Sequence, residues 1–158
     1  MIEITVYGSP APQGSKRAFA VRGKGGVPTG RVAVIESSHD RVKSWRQAVI
    51  DAAVDAGRDT ATGPLEVELV FYMKQPRSHY RTGRNAHLLR DSAPARPDGK
   101  PDLSKLLRST EDALTDAGLW ADDAQVVEYS HLAKVWADDR PPGALITVRP
   151  TNTTGEPR

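Results

Sequence analysis

Two acidic points frame one predicted helix. Lys100-Pro101-Asp102-Leu103 sets a carboxylate at the helix start, and Trp120-Ala121-Asp122-Asp123-Ala124-Gln125-Val126-Val127 sets two more at the start of the following strand. Carboxylates that converge in a low-dielectric site repel one another, and they stay ionised together only around a cation. A few hard oxygen ligands held on separate elements suit Mg²⁺. The surrounding charge is segregated. Residues 74–100 hold seven bases against two acids, residues 102–140 hold nine acids against four bases, and the first 31 residues add Lys16, Arg17, Arg22, Lys24 and Arg31 against Glu3 alone. Basic arms neutralise phosphates while an acidic centre holds an ion, so a metal-dependent enzyme acting on nucleic acid is the first class to test. Each signal has a plainer explanation by itself: Asp102 sits where a helix N-cap sits, and Asp122-Asp123 could be an acidic turn.

The elements that must position these residues can be read from periodicity. Ile2 to Tyr7 alternates as a strand and ends at Gly8-Ser9-Pro10-Ala11-Pro12-Gln13-Gly14. Arg17–Val21 and Val32–Ile35 read as a hairpin across the Gly- and Pro-rich tip 23–30. Val42, Trp45, Val49, Ala52 and Ala53 recur at helical spacing, with Ser38 or Asp40 as cap and Gly57 as stop. Leu65 to Met73 is a strand with Leu65, Val67, Leu69 and Phe71 on one face. A basic segment, Lys74 to Lys100, follows. Its length and charge suggest a nucleic-acid arm that orders on binding. Leu103, Leu106, Leu107, Thr110, Ala113 and Leu114 form the stripe of a second helix that ends before Gly118, and strands follow at Val126–Trp136 and Ala144–Val148. The expected fold is α+β: one domain over residues 1–150, a mixed β-sheet packed against two helices with long basic loops, and a polar tail over 151–158. The expected core is Leu65, Val67, Leu69, Leu106, Leu114, Val126 and Val148.

The 158 residues suit one domain with a real core, and net charge is only +2. With no cysteine, disulfides and thiolate metal sites are excluded. No apolar run approaches the ~20 residues of a membrane span, and no signal-peptide pattern precedes the first strand. The expectation is a soluble intracellular protein with no membrane partner.

Lys100-Pro101-Asp102-Leu103, then Asp112-Ala113-Leu114-Thr115, then the run from Ala117 to Val127 resemble the signature of the RusA family of Holliday-junction resolvases. The N-terminal Pro10-Ala11-Pro12-Gln13-Gly14-Ser15-Lys16-Arg17 and the helix around Trp45 fit that family more loosely. The resemblance implies a homodimeric, Mg²⁺-dependent endonuclease acting on four-way junctions, cytoplasmic in a bacterium or encoded by a phage or prophage. It implies catalytic and metal-binding roles for Asp102 and Asp123, with Asp122 beside them. Arg108 stands where the family usually has a catalytic lysine; it keeps the cation but cannot act as a general acid. Gln125 matches the family and is assigned no chemistry. Lys16, Arg17, Arg77, Arg81, Arg84, Lys100 and Lys105 are the candidate DNA-binding residues.

One departure matters more. The family usually reads Asp-Leu-Asp-Asn at the helix start, and this chain reads Asp102-Leu103-Ser104-Lys105. A hydroxyl is a weak neutral ligand, so three explanations stay open. The protein could be a catalytically impaired binder of branched DNA. Ser104 could hold a metal-bound water while the three aspartates suffice. Or Glu111, two helical turns further along the same face and about 10 Å away, could supply the missing charge as a metal ligand. A phosphoacceptor domain also joins aspartates to Mg²⁺, but it needs more βα units than this chain offers.

Overall fold

Alternation decides the central strand. In the computed structural model, which describes residues 1–14, 16–36, 39–57 and 59–151 (side chains at 16, 17 and 34–36 excepted), β4 (Leu65–Met73) buries Leu65, Val67, Leu69 and Phe71 on one face. Before it come β1 (Ile2–Tyr7), β2 (Lys16–Arg22), β3 (Pro28–Glu36) and α1 (His39–Asp55). After it come α2 (Leu103–Asp116), β5 (Val126–Trp136) and β6 (Gly143–Pro150). The expected class is found: two helices, a mixed four-stranded sheet ordered β1-β6-β4-β5, and a separate β2-β3 ribbon. β1 and β6, and β6 and β4, pair antiparallel; β4 and β5 pair parallel. A parallel pair needs a crossover, and α2 supplies it.

The core fills the space between one sheet face and both helices. Ile4, Val6, Ile146 and Val148 join the β4 residues, and Val42, Trp45 and Val49 of α1 and Leu106, Ala113 and Leu114 of α2 close over them. Each fully buried Leu, Ile, Val or Phe contributes roughly 1.5–3 kcal/mol relative to exposure. Of the expected core, only Val126 is not fully buried, and it still packs against the rest. Trp45 links the layers: its ring tilts against Phe71 at 6.3 Å and its Nε1–H donates to Thr110 Oγ1 at 3.1 Å. Ser109 is wholly buried, and its hydroxyl donates to Ala11 O at 2.6 Å, tying the 9–14 segment to α2.

The ends of α2 fix the two acidic points. At its C-terminus Gly118 N–H donates to Thr115 O and Leu119 N–H to Leu114 O, with Gly118 at φ +73°. That is the Schellman pattern, whose positive φ a glycine adopts without steric cost. At its N-terminus Asp102 occupies the cap position, yet its side chain makes no capping hydrogen bond. β5 then runs back along α2, because Tyr129 reaches Glu111 while Lys134 reaches the turn before Asp102.

Two expectations need correction. β3 begins at Pro28, so the ribbon's tip is shorter than 23–30. The 74–100 arm, read from its composition as a bare loop, has local structure of its own. Short 3₁₀ turns at Arg77–His79 and Gly83–Asn85, a Tyr80–Leu89 bridge, and bonds from Arg81 N–H to Leu88 O and Arg90 N–H to His79 O give it a defined shape. Trp136 anchors it to the sheet: its indole N–H donates to Pro94 O at 2.8 Å and its ring meets His79 edge-on at 5.5 Å. Composition missed this because backbone and a few aromatic groups do the ordering. The Ser38 cap and all but the first residue of the polar tail lie outside the described residues. That first residue, Thr151, donates its N–H to Pro64 O at 3.0 Å.

Candidate active site

The structure separates the acids that sequence spacing suggested would meet. Asp102 precedes the first turn of α2, whereas Asp123 turns back beside Glu111, about 13 Å further along the helix axis. Among the described residues, no group of three or more His, Cys, Asp and Glu is placed to hold a metal ion. What the chain presents is two partial sites.

At the first, Asp102 is exposed and, among the described residues, forms an ion pair with Lys105 at 3.5 Å. It lines a cleft of about 420 Å³ with Lys100, Lys105, Arg41 and the 9–14 segment. Arg41, from the first turn of α1, was not anticipated. A cation there opposes the helix macrodipole, and that mismatch was the available signal. Ser104 is exposed one residue into the helix. The side chains of Lys16 and Arg17 lie outside the described residues.

The second partial site gathers Glu111, Asp123, Tyr129 and Arg108. Tyr129 Oη donates to Glu111 Oε1 at 2.5 Å. Burial pushes the Glu111 carboxyl above its ordinary range, the Tyr129 hydrogen bond opposes this, and Asp123 and Asp112 push it further up. Burial, Glu111 and Asp123 likewise hold the Tyr129 phenol far above its ordinary value, so it stays a neutral donor. Asp123 is therefore an electrostatic neighbour of Glu111, as the helical phase from Ser104 through Arg108 to Glu111 allows. Asp122 is largely committed elsewhere. Its Oδ1 accepts from Ala124 N–H at 2.8 Å and caps the short 3₁₀ turn Asp123–Gln125. Gln125 completes that capping box: its Oε1 accepts from Ala121 and Asp122 N–H, and its Nε2 donates to Ala61 and Gly63 carbonyls. The glutamine's role is to fix the acidic turn. Trp120 buttresses it from below, buried with its Nε1–H donating to Thr115 Oγ1 at 2.7 Å.

On the arm, Arg81 is tied to Asp91 at 3.0 Å and to Leu89 O at 3.1 Å, and Arg90 donates to Tyr80 O. These two staple the arm. The Arg77 and Arg84 side chains carry no hydrogen bond or ion pair among the described residues.

A family model, endodeoxyribonuclease RusA, matches residues 9–149. The chain belongs to the RusA family of endodeoxyribonucleases. A comparison with individual curated proteins finds no match. The match spans both partial sites. Among the described residues no helix is long and apolar enough to cross a membrane.

The donor chemistry at the second site fits Mg²⁺. One or two carboxylates beside substrate phosphate are the usual holders of that ion. A divalent cation would also offset the burial and the neighbouring negative charge that lift Glu111. This gives a stability prediction. A carboxyl whose folded value is raised contributes fully below its unfolded value, and that contribution is lost as pH rises through the folded value. Ionised Glu111 therefore costs stability at neutral pH without metal. Glu111→Gln keeps an acceptor for Tyr129 and removes the charge. In metal-free buffer its melting temperature should exceed that of wild type at pH 7–8, with the gap closing below the ordinary glutamate range. Thermal unfolding across pH checks this, and a variant less stable than wild type at pH 7–8 contradicts it.

Proposed function

We propose that this RusA-family chain is a Mg²⁺-dependent, structure-selective endonuclease that resolves Holliday junctions by paired nicks in opposed strands. It would act as a homodimer in which each site takes Asp102 from one subunit and Asp123 with Glu111 from the other. The observation that carries this reading is the separation of the acids along α2. A two-fold axis that sets α2 antiparallel to its copy exchanges its ends and reunites the acids twice. A four-way junction has two-fold symmetry, and two opposed cuts need two sites.

Asp102, Asp123 and Glu111 would hold the ion, with the free oxygen of Asp122 in support. When bound, the ion lowers the pKa of water and neutralises charge on the scissile phosphate. Tyr129 takes one oxygen of Glu111 and leaves the other available. Arg108 lies between the two ends of α2 and stabilises charge developing on the phosphate without giving up a proton. Lys100, Lys105 and Arg41 line the cleft beside Asp102 and offer it to phosphate, and Arg77 and Arg84 extend the basic track along the arm. Lys16, Arg17 and Arg81 belong to the same expected DNA surface, with Arg81 partly occupied by Asp91. Phosphate contacts of this kind position the duplex and do not read bases. The acidic pair beside Tyr129 favours catalysis over mere binding, since Glu111 supplies charge that Ser104 lacks.

A synthetic four-way junction tests the reading. Wild type should cut it with Mg²⁺, bind without cutting in Ca²⁺, and lose cutting in Asp123→Asn. Affinity should fall with a log–log salt slope of roughly −0.9 per neutralised phosphate. A protein that shifts the junction but leaves it whole in Mg²⁺ is the binder, and the nuclease reading then fails.

A further inference from the structure

Lys134 carries a contact that no part of the site described so far requires. Its register partner is Phe71, which is fully buried, so both side chains leave the sheet on the helix side. A lysine directed toward a core is costly unless its ammonium finds acceptors. This one finds two backbone carbonyls, Gly99 O at 2.6 Å and Pro101 O at 2.9 Å. They bracket Lys100 and immediately precede Asp102. On the other side, Asp102 O accepts the first helical bonds, from Lys105 and Leu106 N–H, both at 3.1 Å. The Asp102 side chain has no cap bond to orient it. The carboxylate's position is therefore set by its backbone, and on the upstream side that backbone, outside any regular element, is held by Lys134. A cavity of about 270 Å³ lined by Lys134, His79, Trp136, Lys100 and Pro101 lies beside this turn, so packing alone does not fix it.

We propose that Lys134 is a positioning residue for Asp102: its ammonium clamps the 99–101 turn and so sets where the first carboxylate stands. This rests on the nuclease reading for its kinetic consequence and on the structure alone for the clamp. β5 then serves both partial sites. Asp123 lies just before its start and Lys134 near its end, about 26 Å further along the strand. A single strand thereby couples the placement of the two acids.

Two variants and two readouts test the proposal. Lys134→Met removes the donors and keeps the apolar stem; Lys134→Arg keeps donors. Loss of a group that orients a ligand costs about 10–100-fold. Lys134→Met should lower kcat for junction cutting by that factor and raise the Mg²⁺ concentration needed, while KM for the junction moves less than about 3-fold. Lys134→Arg should recover much of the loss. Independently of cutting, amide hydrogen exchange in peptides spanning residues 97–106 should accelerate in Lys134→Met, with exchange in β1, β4 and β6 unchanged. Unchanged exchange in that segment overturns the clamp. So does acceleration spread evenly over the protein, which marks a general packing role. A raised KM at constant kcat marks a phosphate contact and also overturns it. If wild type cuts no junction, the nuclease reading falls while the exchange experiment still decides the clamp.

Discussion

Mixing Asp102→Asn protein with Asp123→Asn protein should restore nicking that neither variant performs alone. Each variant by itself should lose at least about 100-fold in junction cutting, since changes to groups that merely orient ligands already cost 10–100-fold. In a composite site the two losses are separable. A mixed dimer has one site with both carboxylates altered and one with both intact. Random exchange makes about half of the dimers mixed. Those dimers should nick one strand of the junction and leave it unresolved, because the opposed cut has no functional site. Glu111→Gln sharpens the test. It should complement Asp102→Asn and fail to complement Asp123→Asn, because Glu111 and Asp123 share one partial site. Silence from every mixture, with dimer exchange verified, would mean that each site lies within one chain, and the two-fold arrangement would be wrong.

The largest loss of stability is expected from Trp45→Ala. Trp45 of α1 is 1% exposed, packs against Phe71 of β4, and is hydrogen-bonded to Thr110 of α2. Removing so large a buried aromatic costs about 3–5 kcal/mol, a substantial part of the 5–15 kcal/mol that holds a domain folded. Denaturant unfolding should show the midpoint falling with little change in slope. Trp45→Phe isolates the hydrogen bond. Thr110 still donates to Leu106 O at 2.9 Å, so only about 1 kcal/mol should be lost beyond the change in shape. A Trp45→Ala loss below about 1 kcal/mol would mean that the helices hold to the sheet through other contacts.

Elements with strong periodicity were legible in the residues. β4, β5 and α2 start and stop where alternation, helical spacing and Gly118 put them, because one face of each is committed to the core. The ribbon tip was overdrawn because Pro28 and Gly30 read as turn residues, yet Pro can open a strand and Gly30 takes φ +73° within one. The arm was misjudged because a basic composition says nothing of backbone bonds or of Trp136 reaching Pro94. Glu111 and Asp123, which the structure sets near one another, were both candidates in the sequence. The separation of Asp102 from Asp123 was not visible, because it depends on β5 running back along α2. Tyr129, Lys134 and Arg41 gave no motif; they gain meaning only when strand register and helix packing bring them beside the acids.

The length of α2 has a consequence for how the two cuts are spaced. In a dimer built on exchange of helix ends, the distance between the two cutting centres would be set by how far along α2 the Glu111–Asp123 pair lies from Asp102. A helix selected by its apolar stripe would thus act as a gauge between incisions. Lengthening it by a turn, about 5.4 Å, would move the two cuts apart by a similar distance while the two-fold symmetry kept them equivalent.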